Sequence, residues 1–191
     1  MSHNMTARSL DQLFSEFYEY LELERNVSKL TIRNYKHYLA RFSEWLHSTG
    51  ASSTPASVTQ QTIRRYRLYL SRFVDEHGLT LKRVTQNYHL IALRSFLKFL
   101  ARSDIDALSS DKIELGKAES RSLEFLSHAQ IERLLVQPIV STIAGLRDKT
   151  IMELLFSTGL RVSELAKLNR DHINTHTQEI GVIGKGRRPR E

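Results

Sequence analysis

Apolar residues recur every three or four positions in four successive stretches of the first hundred residues, and this spacing constrains the fold more than any other feature of the chain. Such a stripe lies along one face of an α-helix and has to be covered by another element. Four amphipathic helices with short connections predict a compact bundle. The helices are predicted to run from Ser9 through Leu21, from near Ser28 to His47, from about Thr59 to Glu76 and from about Thr80 to Ala101.

The residues predicted to face the core share the helical spacing of their stripe. They are Leu10, Leu13, Phe14, Phe17, Leu21, Ile32, Tyr35, Leu39, Phe42, Leu46, Ile63, Tyr66, Leu70, Phe73, Val84, Tyr88, Ile91 and the run FLKFL at 96–100. Cap and stop residues support these bounds, because Gln12 completes a capping box with Ser9, and Gly50 and Gly78 lie where the second and third helices are predicted to stop.

The rest of the chain predicts a linker and a second domain. A polar segment without periodicity covers residues 104–122. We therefore assign the helical domain to residues 1–103, the linker to 104–122 and the second domain to 123–191.

The second domain is predicted to be mixed α/β. It opens with a capping box at Ser127 and Gln130, and a longer helix is expected from about Gly145 to Ser157. The alternating run after Asn169 predicts short strands and a turn. The predicted fold class is thus mainly α, a four-helix bundle followed by the start of a mixed α/β domain.

Charge and composition narrow the possible partners and the compartment. The chain has 28 Lys and Arg against 21 Asp and Glu, and 17 of the basic residues against 12 of the acidic ones occur up to Ala118. This balance favours nucleic acid as the partner. The sequence contains no cysteine, no apolar run of about 18 residues and no signal-peptide pattern, so we expect a cytoplasmic protein without membrane contact.

The stretch FSTGLRVSELAKL, residues 156–168, places a charged side chain in an apolar bend. Gly159 is the predicted stop of one helix, and a second helix is predicted to begin almost at once, which puts Arg161 in the joint. A side chain in such a joint can leave the packed surface and point at a ligand. Glu164 lies three residues further on, either as a surface ion-pair partner or as a group that orients the arginine.

These motifs resemble a known family. TGLRVSEL, preceded by LRDKTIMELLF and followed by GKG and a basic turn, is similar to the pattern of the tyrosine recombinases, the phage integrase and Xer group. The stretches NVSKLTIRNYKHYLARFSEWL and QNYHLIALRSFLKFL resemble the SAM-like core-binding domain of that family. The resemblance implies an enzyme that breaks and rejoins double-stranded DNA through a phosphotyrosine link, with no cofactor and no metal. The compact two-domain match leans toward the Xer type.

The resemblance also implies roles for individual residues of the second domain. Arg161 matches the first of two arginines that clamp the reacting phosphate, a task that suits the planar guanidinium fork. Glu164 would orient it. Lys185, between two glycines, matches the hairpin lysine that protonates the leaving 5′-oxygen. The neighbours expected to contact phosphates in the same turn are Arg187, Arg188 and Arg190.

DNA contacts are expected on two helices of the bundle. Phosphate contacts by Lys and Arg supply affinity, while Gln86 and Asn87 can read base edges. The second helix carries Lys29, Arg33 and Lys36 on a face distinct from its apolar stripe, and the fourth carries Lys82, Arg83, Gln86, Asn87 and His89 near its start, with Arg94 beyond. The pattern does not choose among Arg64, Arg65 and Arg67, because these arginines surround Tyr66 on all sides.

The match stops before the rest of the family's catalytic pattern. In the family a His-x-x-Arg helix, a further His or Trp and the tyrosine nucleophile follow, whereas all seven tyrosines of this sequence precede Arg161. We therefore expect the chain to be inactive alone and to be a fragment of a longer recombinase. An alternative is a non-catalytic DNA-binding protein that occupies recombination sites and regulates a full-length enzyme, and a third is a helical protein-interaction bundle. Full-length members form tetramers on two sites, and this chain is expected to be a monomer.

Overall fold

A computed structural model describes residues 8–117, 124–174, 176–183 and 189–190, with only the backbone of 183, 189 and 190. The chain divides into two units, residues 1–121 and residues 122–191. Within the described part of the chain, no helix is long and apolar enough to cross a membrane.

Four helices build the first unit, as the sequence predicts: α1 (Leu10–Leu23), α2 (Lys29–Ser48), α3 (Gln60–Arg72) and α4 (Arg83–Arg102). The capping box of α1 forms, because the Gln12 N–H donates to Ser9 Oγ over 3.3 Å and the Ser9 N–H donates to Gln12 Oε1 over 3.1 Å. Gly50 follows α2 with a φ of 68°, a conformation that glycine adopts without steric cost. A short 3-10 helix, Pro55–Ser57, lies between α2 and α3.

One apolar core holds these helices together. Aromatic rings dominate it, since the Phe17 ring centroid lies 5.7 Å from that of Phe96, and the Tyr66 centroid lies 4.9 Å from Phe42 and 5.0 Å from Trp45. The five inward residues predicted for α1 are all buried. On α2 the predicted stripe is also buried or half-buried, and Trp45 joins it.

The fourth helix buries a different face from the one predicted in its first half. Val84, Tyr88 and Ile91 are 42%, 48% and 39% exposed, so their prediction as core residues is wrong. Apolar residues occupy several helical registers between residues 89 and 100, so spacing alone fits more than one face. Packing against α2 selects the buried set, which is His89, Leu90, Ala92, Leu93, Phe96, Leu97, Phe99 and Leu100.

The third helix also ends earlier than predicted. It stops at Arg72, because Phe73 adopts an extended backbone conformation and Val74 then pairs with Thr80 in an antiparallel bridge. The turn between them is closed by Asp75, whose Oδ1 accepts hydrogen bonds from two backbone N–H groups. A side chain that closes such an Asx-type turn competes with helical hydrogen bonding.

Residues 104–117, which are predicted to belong to a linker, pack on the helices of the first unit. Ile113 is 1% exposed within the bundle core, next to the 3-10 helix Ser110–Lys112 that contacts α4. A single buried isoleucine in a polar segment carries no periodicity, so sequence spacing did not reveal this packing.

The second unit contains short helices and two small antiparallel strand pairs. Its helices are α5 (His128–Leu135), α6 (Ile143–Thr158) and α7 (Val162–Leu165), followed by a 3-10 helix, Arg170–His172. Its strands are β1 (Ile173–Asn174), β2 (Glu179–Ile180), β3 (Val182–Ile183) and β4 (Pro189–Arg190), with β1 paired to β2 and β3 paired to β4. The capping box predicted for Ser127 and Gln130 is present at the start of α5.

Candidate functional site

The joint between α6 and α7 forms where the sequence predicts it. Gly159 ends α6 in the left-handed conformation, with a φ of 62°, and its N–H donates to the Leu155 carbonyl over 3.1 Å. Arg161 has an extended backbone and is the N-cap residue of α7. Between these two positions Leu160 is buried. The chain therefore anchors the bend on a leucine and turns the next residue outward.

Glu164 holds Arg161 at two points. One carboxylate oxygen accepts the Arg161 backbone N–H over 2.8 Å, and the other accepts a hydrogen bond from the guanidinium Nη1 over 2.9 Å. The Glu164 side chain is 8% exposed and the Arg161 side chain is 59% exposed. A guanidinium has five N–H donors, so this geometry fixes the arginine while donors on its exposed side can bind an anion.

In the sequence, the predicted turn lysine stands between β3 and β4, which form an antiparallel pair. Val182 pairs with Arg190 and Ile183 with Pro189 in antiparallel register. Lys185, Arg187 and Arg188 lie outside the described residues, and Arg190 is described by its backbone alone. Their roles remain predictions.

The basic residues predicted on α2 are all exposed: Lys29, Arg33 and Lys36. Lys36 Nζ lies 5.3 Å from the centroid of the Tyr18 ring, a cation–π contact that leaves its charge at the surface. Within the described part of the chain, none of the three forms an ion pair with a carboxylate. Their charges are therefore available to an anionic partner.

The polar residues at the start of α4 divide into exposed cations and amides bound to the backbone. Lys82 and Arg83 are exposed, and Arg94 is half-buried further along. Gln86 Nε2 donates to the Leu81 carbonyl over 2.8 Å.

Asn87 makes two hydrogen bonds to the backbone of one residue. Its Nδ2 donates to the Gly116 carbonyl over 2.8 Å, and its Oδ1 accepts the Gly116 N–H over 3.0 Å. Both polar groups of the side chain are thus engaged in docking residues 104–117.

His89 is buried rather than available to DNA. It is 1% exposed, its Nδ1 lies 3.4 Å from Tyr66 Oη, and its Nε2 has no hydrogen-bond partner among the described residues. Burial lowers the pKa of His89 to about 4, and the nearby positive charge of Arg41 acts in the same direction. Burial also raises the pKa of the Tyr66 hydroxyl. At neutral pH this pair is therefore uncharged.

A concave groove on the first unit was not predicted from the sequence. It has a volume of about 520 Å³ and is lined by four arginines, of which three are on α3 and one is the first residue of α4. These are Arg64, Arg65, Arg67 and Arg83. The i, i+3 spacing of Arg64 and Arg67 is the sequence signal that could have placed two of them on one helix face.

Among the described residues, no group of three or more His, Asp or Glu side chains is placed to hold a metal ion.

Two protein-family models match the chain. The one described as "Phage integrase, N-terminal SAM-like domain" matches residues 14–104, and the one described as "Phage integrase family" matches residues 124–191. Together they match most of each unit.

Curated proteins with similar sequences carry recombinase names. The chain is 33% identical over 175 residues to "Tyrosine recombinase XerC" of Bacillus subtilis (strain 168), a match that covers 91% of this chain and 55% of that protein. It is 34% identical over 179 residues to "Tyrosine recombinase XerC" of Histophilus somni (strain 2336), which covers 93% of this chain and 58% of that protein. The chain thus spans a little over half the length of these relatives.

A solved structure also matches. The N-terminal domain of a phage integrase/site-specific recombinase from Haloarcula marismortui is 17% identical, with a TM-score of 0.48, over 58% of this chain and 98% of that chain.

Proposed function

Because the chain belongs to the phage integrase family of tyrosine recombinases, we propose that it grips double-stranded DNA with its first unit. Its second unit contributes Arg161 to the phosphoryl-transfer site of a site-specific recombination reaction. The observation that carries this proposal is the exposed guanidinium of Arg161 held by the nearly buried carboxylate of Glu164.

The chemistry of DNA strand exchange calls for such an arginine. When a hydroxyl attacks a phosphodiester, negative charge accumulates on the non-bridging oxygens, and a guanidinium donates two parallel hydrogen bonds to them. Donors that are already oriented need no reorganisation as that charge develops. Glu164 supplies this orientation, because it fixes both the backbone N–H and Nη1 of Arg161.

The leaving 5′-oxygen needs a proton, and we assign this role to Lys185. Arg187 and Arg188, which follow Lys185 in the sequence, and Arg190 of β4 are assigned to neighbouring phosphates. Support for these assignments comes from the sequence and from the antiparallel pairing of β3 with β4, which bracket the turn.

The DNA grip of the first unit is assigned to its exposed cations. On α2 these are Lys29, Arg33 and Lys36, and on α4 they are Lys82 and Arg83, with Arg94 beside them. Each lysine or arginine that neutralises a phosphate releases a condensed counterion, so affinity should fall steeply with salt. The cations without carboxylate partners support this assignment.

We also propose that this chain, acting in the cytoplasm as a monomer, binds DNA without completing strand transfer. The seven tyrosines, at positions 18, 20, 35, 38, 66, 69 and 88, all belong to the first unit. The Tyr66 side chain is fully buried in the apolar core, where it cannot reach a phosphate.

Two measurements on the 191-residue chain test this proposal. Fluorescence anisotropy with a labelled duplex, repeated at several salt concentrations, should give affinities that fall linearly on a log–log plot. Incubation with a nicked suicide substrate should give no covalent adduct. Absence of duplex binding at low salt would overturn the DNA assignment, and an adduct carried by this chain would overturn the claim of incomplete chemistry.

A further inference from the structure

The arginine groove, lined by Arg64, Arg65, Arg67 and Arg83, concentrates positive charge in a concave site. Its other polar lining residues are neutral, with Gln61 and Ser71 from α3 among them, and within the described part of the chain no aspartate or glutamate lines it. Its volume of about 520 Å³ falls within the range of small-molecule sites.

The four charges of this groove are not neutralised within the described part of the chain. Each ion pair found there involves other residues, and none of the four guanidiniums donates a hydrogen bond to a protein side chain or carbonyl. Like charges held near one another repel, so a site of this kind is stabilised when an anion enters it.

One wall of the groove is built by the segment that follows α4. Asn87 fixes Gly116 through two hydrogen bonds, and Gly116 lies directly against the Arg83 side chain. A Cβ placed on Gly116 would lie 3.0 Å from Arg83 Cδ, so the glycine leaves room for that side chain at the edge of the groove. Arg83 is thus positioned by packing as well as by its helix.

We propose that the arginine groove binds adjacent phosphate groups. Four guanidiniums around one concavity suit tetrahedral phosphates, each of which can accept hydrogen bonds from more than one fork. A carboxylate has a single planar edge and satisfies fewer of these donors. The phosphates can come from the DNA backbone, outside the α2 contacts, or from a free polyphosphate, and the first source rests on the proposed function.

The test compares two probes on the full chain, inorganic tripolyphosphate by calorimetry and a 20-base-pair duplex by anisotropy. The double variant Arg64→Ala/Arg67→Ala should weaken tripolyphosphate binding at least tenfold. If the groove holds DNA phosphates, the variant should also lower the magnitude of the log–log salt slope by about two, one for each lost contact.

The matched control is Arg72→Ala/Lys112→Ala, which removes the same charge from exposed positions outside the groove. It should leave both readouts near those of the unmodified chain. Thermal unfolding by circular dichroism checks that the variants fold. We expect them to fold because the buried residues of α3 are Ile63, Tyr66 and Leu70, and none of these is substituted.

The outcomes separate this inference from the proposed function. If the double variant loses tripolyphosphate binding but keeps the salt dependence of DNA binding, the groove binds phosphates, and its ligand is a free phosphate compound. Loss of tripolyphosphate binding in a chain that binds no DNA would support the groove and overturn the proposed function. Unchanged binding of both probes by the double variant would overturn the proposal that the groove binds phosphates. Equal binding of polyglutamate and tripolyphosphate at matched charge would overturn it as well. In either case, DNA binding by the unmodified chain would still support the proposed function.

Discussion

The carboxylate of Glu164 contacts Arg161 through both of its oxygens, one on the backbone N–H at 2.8 Å and one on Nη1 at 2.9 Å. The same side chain therefore caps the start of α7 and orients the guanidinium. Because one residue does both, local folding of the joint and the direction of the arginine are coupled. A substitution at Glu164 should therefore change the orientation of Arg161 and the start of α7 more than it changes the rest of the second unit.

Glu164→Gln should loosen this joint. The amide oxygen can still accept one hydrogen bond, but it lacks the charge that makes hydrogen bonds to carboxylates worth about 1.5–3 kcal/mol. Amide hydrogen exchange at Arg161 should accelerate roughly tenfold or more, since about 1.4 kcal/mol corresponds to a factor of ten. Mass spectrometry or NMR of the exchanged chain measures this directly.

The control for that experiment is Glu153→Gln on α6. Glu153 is exposed and pairs with Lys149 at 3.8 Å, a contact of the kind that contributes little at a surface. Exchange at Arg161 should not respond to it. An equal effect of the two variants would mean that Glu164 acts only through the net charge of the unit.

Reversing two charges on α2 should weaken DNA binding. Lys29→Glu/Arg33→Glu removes two exposed cations and places carboxylates where phosphates are expected. At about 0.1 M salt each lost contact costs roughly tenfold in affinity by counterion release, so the dissociation constant should rise by more than tenfold. Anisotropy titrations with one duplex at several salt concentrations give both the affinity and the slope.

The matched variant is Arg72→Glu/Lys112→Glu, which changes the net charge by the same amount at exposed positions away from this face. If it weakens binding as much as the α2 variant, binding depends on overall charge and the choice of α2 is wrong.

Local signals in the sequence predicted the ends of several elements. The capping boxes at Ser9 and Ser127 and the stop at Gly159 depend on neighbours within three or four residues, so the pattern contains what is needed to locate them. The joint at Arg161 followed from the same kind of information. The placement of Glu164 against it is a local contact as well, three residues along one short helix.

Tertiary packing determines which helix faces are buried and which distant residues meet, and the spacing of apolar residues does not predict either. Val84, Tyr88 and Ile91 satisfy helical spacing, yet α2 packs on the alternative apolar face of α4. The docking of Ile113 and the gathering of Arg64 and Arg83 around one groove join residues that are distant in sequence. No short-range periodicity records such contacts, because they depend on how two elements meet.

Asn87→Ala should destabilise the packing of residues 104–117 and should not change base preference. The substitution removes both hydrogen bonds to Gly116, each worth about 1 kcal/mol net. The Gly116 amide should exchange faster, and the free energy of unfolding from urea titration should fall by about 1–2 kcal/mol. Binding to a panel of duplexes should keep its order of affinities.

A useful comparison is Gly116→Ala. It keeps the backbone groups that bond Asn87, and its added Cβ meets Cδ of Arg83 at 3.0 Å, a contact that a small rotation of this exposed side chain relieves. It should therefore cost less stability than Asn87→Ala. If Asn87→Ala instead alters the order of affinities and leaves stability unchanged, Asn87 reads bases, as the sequence alone predicted.

The buried pair formed by His89 and Tyr66 should make the first unit sensitive to acid. The pKa of His89 is lowered from 6.5 to about 4 in the folded chain, mainly by burial and then by the charge of Arg41. Between these values an unfolded chain binds a proton at this position and the folded chain does not. Stability is therefore full above pH 6.5 and falls as the pH drops toward 4, by up to about 3 kcal/mol.

The double variant His89→Leu/Tyr66→Phe isolates this contribution from that of the carboxylates, because it replaces both members of the buried pair with apolar side chains. Urea unfolding at pH 7.5, 5.5 and 4.5 should show that the free energy of unfolding falls less steeply with decreasing pH in the variant than in the unmodified chain. This difference must appear within this window, since above pH 6.5 the histidine is neutral in both states. Stability curves that run parallel from pH 7.5 to 4.5 would show that His89 takes up its proton equally well in the folded and unfolded chains, and its burial would then carry no acid sensitivity.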